Sequence, residues 1–177
     1  MNSNYLVISA VGADQPGIVN ALSTKILDSG CNIVDSRMTV LGGEFAIIVM
    51  ISGNWNTIAK LEASLPGLEK LLGLTIISKR TEERGQQENK IPYMVEVVAM
   101  DNPGIVNNIA DFFSSRNINI EDLSTGSYAA AHTGTIMFTM HMVISIPTDM
   151  HLGDLRESFT EFCDNLNLDA IMEPVKN

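Results

Sequence analysis

The stretch Asp14-Gln15-Pro16-Gly17-Ile18-Val19-Asn20 returns 87 positions later as Asp101-Asn102-Pro103-Gly104-Ile105-Val106-Asn107. Between Val11 and Asp35, 10 of 25 residues are identical at that offset without a gap, and the identity reaches Asn32 with Asn119, Ile33 with Ile120 and Asp35 with Asp122. A period this long exceeds the ~20 to 50 residues of a solenoid repeat and approaches the size of a small domain. The chain is therefore read as one small unit written twice. The polar, aperiodic run TEERGQQENK separates the copies, giving a first domain at residues 1–80, a linker at 81–90 and a second domain at 91–177.

Periodicity gives the content of each copy. In the first, YLVISAV reads as a strand; Ile18, Val19, Leu22 and Ile26 then place one apolar face on a helix ending near Gly30. Two apolar runs broken by Gly42-Gly43 read as a hairpin. A second helix is expected from about Asn56, with Ile58, Leu61 and Leu65 on one face and a break or bend at Pro66-Gly67, before LTIISKR closes the unit as a strand. The second copy repeats this order, with Ile105, Ile109, Phe112 and Phe113 on one helix and Leu152, Leu155, Phe159, Phe162 and Leu166 on the other. Its hairpin carries the longer connection Tyr128–Gly134. The order βαββαβ implies an α+β fold: two ferredoxin-like sandwiches in tandem, each with both helices on one face of an antiparallel sheet. The opposite face needs a cover, so pairing of the halves, or a homodimer through sheets or helices, is expected.

Composition excludes several function classes. With 45% hydrophobic residues the chain can bury a core, yet its longest purely apolar stretch, Phe45 to Ile51, is far short of the ~20 residues of a membrane span. MNSNYLVISA lacks the basic start of a secretion signal, and Cys31 and Cys163 read as small buried thiols, so a soluble cytoplasmic protein is expected. The net charge is −10, and it is concentrated: residues 86–177 carry 4 Lys and Arg against 13 Asp and Glu. Direct nucleic-acid binding, which needs a basic footprint, is not expected. Nor is enzymatic activity. His132, His141 and His151 lack the spacing of a metal site, and adjacent Glu121 and Asp122 would point to opposite faces of a strand. There is no nucleophile elbow or phosphate loop; no metal and no cofactor are expected.

The repeated phrase has a physical reading of its own. Pro16 and Pro103 suit the first position of a helix, and Asp14 and Asp101 are placed to cap its free N–H groups. Such a helix start, with a glycine that lets the backbone turn, also receives anions.

Asp-x-Pro-Gly-Ile-Val followed by GCNIVDS in one copy, and DNPGIVNNIADFFSSRNINIEDL in the other, resembles the ACT domain, a small regulatory module that senses amino acids. The first copy, with GCNIVDSRMTVLGGEF and SGNWNTIAKLEASLPG, is similar to bacterial tandem-ACT regulators that have no DNA-binding domain. That resemblance implies an amino-acid ligand, glycine foremost, and repression of the glycine cleavage operon through a LysR-type transcriptional activator. The alternative it leaves is a free-standing regulatory subunit of an amino-acid or folate enzyme, since formyltetrahydrofolate deformylases open on related phrases before a catalytic domain. Family ligands sit at an interface between two ACT units, where the Asp-x-Pro-Gly loop of one faces a second-strand Asn. Carried over, the ligand-binding residues are Asp14, Gln15, Pro16, Gly17, Ile18, Val19, Asn32 and Ile33, and in the second copy Asp101, Asn102, Pro103, Gly104, Ile105, Val106, Asn119 and Ile120.

Overall fold

Alternation along the first strand sends Leu6, Ile8 and Ala10 into a core while their neighbours stay partly exposed, and the helices return Ile18, Leu22, Ile26, Ile58, Leu61 and Leu65 to the same interior. These patterns build the first of two units into which the computed structural model divides, Met1–Gly85 and Gln86–Asn177; the described residues are 4–83, 85 and 89–175. Part of the linker expected at 81–90, residues 84 and 86–88, lies outside the described residues.

The first unit runs β1 (Asn4–Ala13), α1 (Ile18–Asp28), β2 (Asn32–Leu41), β3 (Glu44–Gly53), α2 (Trp55–Leu72) and β4 (Thr75–Thr81). The second runs β5 (Lys90–Met100), α3 (Ile105–Ser114), β6 (Asn119–Ala129), β7 (Ile136–Pro147), α4 (Leu152–Asn165) and β8 (Asp169–Pro174). Each forms a four-stranded antiparallel sheet, in the orders β2-β3-β1-β4 and β6-β7-β5-β8. The βαββαβ order read from periodicity is the observed one, twice.

The cores differ in material. The first is aliphatic around Phe45, whereas Phe112, Phe113, Phe159 and Phe162 of the second meet with centroids 4.9–5.2 Å apart. Within each unit the other sheet face has no helix on it. In the first, Ile48 and Ile77 on that face are 50% and 67% exposed; in the second, Glu96 and His141 lie across it at 3.3 Å.

Three local expectations are corrected. Of the break or bend expected at Pro66-Gly67, the break does not occur: helix α2 runs through to Leu72, because Leu65 and Leu68 on either side are both buried and their burial outweighs the backbone bond that proline cannot make. Glu121 and Asp122 do not simply alternate: the register of β6 shifts between Ile120 and Asp122, so Glu121 is the bulged residue. The first copy carries a bulge at the matching place, between Ile33 and Asp35. The cap reading of Asp14 and Asp101 also fails, for a reason visible at the site.

Candidate ligand site

Helix α1 starts at Ile18, and its N-cap is Gly17 at φ 95°, ψ −6°; α3 starts at Ile105 after Gly104 at φ 94°, ψ −4°. Those are the angles of the third residue of a type II turn, whose second residue favours proline. Pro16 and Pro103 therefore precede the cap instead of opening the helix. Asp14 and Asp101 lie three residues before the cap, and neither helix start has a side-chain cap hydrogen bond. The backbone of Asp14 is tied instead to the neighbouring hairpin, its N–H donating to the Gly43 carbonyl at 2.9 Å, while Asp101 N–H donates to that of Ile136 at 3.0 Å. The helical ladder begins when Ala21 N–H reaches the Gly17 carbonyl and Asn108 N–H the Gly104 carbonyl, both at 2.9 Å. What the repeated phrase builds is an uncapped helix start held on a turn, with donors at the positive end of a helix dipole.

Within a single unit, the loop and strand residues expected to face one another across two units lie apart. Asn32 pairs with Ser52 at one end of β3, whereas Asp14 lies beside Gly43 and Glu44 at the other. Eight residues of strand at ~3.3 Å each separate the two places by about 26 Å. Asn119, paired with Ser145, and Asp101, beside Ile136, are divided in the same way by β7. Within one unit, then, the strand asparagine and the loop aspartate belong to different sites. Asn119 Nδ2 donates to Glu121 Oε1 at 2.7 Å, and Ser145 Oγ donates to the same oxygen at 3.0 Å. Ile18 and Ile105 are buried core residues, while Gln15, Val19, Ile33 and Asn102 are exposed.

What the turn does meet is the end of the second helix. A cavity of 340 Å³ in the second unit is lined by Asn102, Pro103, Ile105 and Asn108 from the turn and α3, by Leu166, Asn167 and Leu168 after α4, and by Ala99 and Met100 of β5. No charged side chain lines it. Periodicity missed the far wall because Leu166 reads as one more residue of an apolar helical stripe. The signal was Asn167, which adopts φ 55° where the first copy has Gly73 at φ 65°.

Other candidates stay apart from this site. Cys31 and Cys163 are free and buried, as expected of small core thiols, and burial pushes the Cys163 thiol up to about 11. His132 lies in the β6–β7 connection, His141 in β7 and His151 at the start of α4. Among the described residues, no group of three or more His, Cys, Asp or Glu side chains could hold a metal ion, and no helix is long and apolar enough to cross a membrane.

Comparison with known proteins agrees with this architecture. Residues 4–78 match the ACT domain family model. The chain is 32% identical to the glycine cleavage system transcriptional repressor of Escherichia coli K12 over 166 residues, which is 94% of this chain and 87% of that one. A crystal structure provisionally identified as a glycine cleavage system transcriptional repressor superposes with a TM-score of 0.75 at 30% identity, covering 100% of both chains. The crystal structure of an unknown protein from Galdieria sulphuraria superposes at 0.80 with 25% identity, covering 99% of this chain and 100% of its own. Two βαββαβ sandwiches in one chain, and this similarity along nearly its whole length, place the protein in the tandem ACT-domain family of the glycine cleavage system transcriptional repressor.

Proposed function

We propose that this protein is an amino-acid-responsive repressor of the glycine cleavage operon, acting by binding a LysR-type transcriptional activator and not DNA. The observation that carries the ligand half of this reading is the uncapped helix start of each unit, held on a Pro-Gly turn. Backbone N–H groups at such an end receive a carboxylate, which every free amino acid has. The relationship to the Escherichia coli repressor supports the regulatory half and makes glycine the first ligand to test. The acidic balance of the chain supports a protein partner over a nucleic acid.

Calorimetry with glycine, serine and the other proteinogenic amino acids tests the ligand. Co-purification with the LysR-type activator of the operon, with and without that ligand, tests the partner. The expected result is saturable binding of one amino acid that changes retention of the activator. Heat from none of them overturns the sensor reading. Recovery of a metabolic enzyme in place of the activator overturns the transcriptional one.

A further inference from the structure

The two copies of the repeated turn are not used alike. In the first unit, Gln15 Nε2 donates to the Leu72 carbonyl at 2.9 Å, a bond spanning 57 residues from the β1–α1 turn to the last residue of α2. In the second unit the same place in the repeat holds Asn102, one methylene shorter. Its Nδ2 turns back to the Met100 carbonyl of its own strand, at 3.3 Å. The counterpart of Leu72 is Leu166: each is followed by a left-handed residue, Gly73 or Asn167, and then by a buried leucine, Leu74 or Leu168. Leu166 and Asn102 both line the 340 Å³ cavity.

We infer that the second unit carries the amino-acid pocket, between the start of α3 and the end of α4, and that in the first unit the Gln15 side chain closes the corresponding place as a built-in plug. This rests on the reading of the chain as an amino-acid sensor. Gln15 shows what the place accepts: an N–H donor to the carbonyl that ends the second helix. An ammonium is such a donor. The opposite wall begins a helix, whose free N–H groups suit a carboxylate, so the cavity lies between the positive end of one helix dipole and the negative end of another. A zwitterion matches that pair of ends. With no charged side chain in the lining, a ligand of zero net charge leaves no buried charge without a partner. The amides of Asn102, Asn108 and Asn167 supply further donors and acceptors. The volume falls at the low end of the ~300 to 1,000 Å³ usual for small-ligand sites.

The test uses the intact chain and the amino acid found by calorimetry. One ligand per chain is expected. Asn102→Gln, which gives the second unit the first unit's plug, is expected to weaken binding by about tenfold or more; Gln15→Asn, which shortens that plug, is expected to raise the stoichiometry toward two ligands per chain. Because the loop variant could disturb folding, backbone amide NMR of the unsubstituted protein gives an independent reading. Ligand-induced shifts are expected at residues 99–108 and 166–168. Ligand binding with shifts confined to residues 12–21 and 72–74, or with Asn102→Gln folded and of full affinity, overturns this inference while the sensor reading stands. No binding of any amino acid overturns both.

Discussion

One dihedral at Gly17 decides what the aspartate before it can do. At φ 95° the glycine turns the chain just before α1, so Asp14 lies too early to cap that helix. A Cβ added there would meet nothing within 4 Å, which leaves backbone strain as the cost of substitution. Gly17→Val is therefore expected to destabilise the first unit by about 1–2 kcal/mol, the penalty of a left-handed conformation for an L-residue, whereas Asp14→Ala should change stability by less than about 0.5 kcal/mol. Urea denaturation of both variants checks the pair; a large loss in Asp14→Ala would restore the cap. Cys163 offers a second measurement at this scale. Burial, with a smaller contribution from Asp164, lifts its thiol from 9.0 to about 11, so the folded state holds this proton more tightly than the unfolded chain. The stability it contributes is fully present below about pH 9 and is lost as pH rises through 11. Unfolding free energies of wild type and Cys163→Ala between those limits should converge with rising pH. A constant gap between them would contradict the shift.

Elements show the same competition between local rule and context. Helix α2 has a side-chain cap of the usual kind, Asn54 Oδ1 accepting from Thr57 N–H at 2.9 Å, and it ends at Gly73 in the left-handed conformation. Its start was legible to within one residue of the expected Asn56. Its middle was not, because the penalty of Pro66 is local, while the burial of Leu61, Leu65 and Leu68 against the sheet is fixed by residues far along the chain. Gly67 next to it is a helical residue with open space around its Cα. Gly67→Ala is expected to stabilise the first unit by about 0.5–1 kcal/mol, and Asn54→Ala to destabilise it by about 1 kcal/mol. Thermal melts of the two variants should move in opposite directions, and a downward shift for Gly67→Ala would show that the helix needs its glycine. The paired bulges in β2 and β6 belong here too: each falls just after an Asn-Ile pair, and one holds Val34 where the other holds Glu121. The alternation of a strand gives no warning of an inserted residue.

At the scale of the whole molecule, charge is the most direct guide. A chain of net charge −10, with 4 Lys and Arg against 13 Asp and Glu in residues 86–177, gains little from phosphate contacts. The purified protein is expected to give no sequence-specific gel shift with operon promoter DNA at physiological salt; a specific shift by the protein alone would refute partner-mediated action. The sequence by itself determined the duplication, the order of elements and the buried stripes, since each of these depends on spacings within one segment. Ile18, Leu22 and Ile26, or Ile105, Ile109 and Phe113, announce their faces without reference to any other part of the chain. Tertiary structure alone decided that Asp14 and Asn32 stand at opposite ends of β3, and that Gln15 reaches Leu72 while Asn102 stops short of the α4 end. Those outcomes depend on strand register and on the packing of segments tens of residues apart, where a single methylene decides whether an amide reaches the end of the second helix.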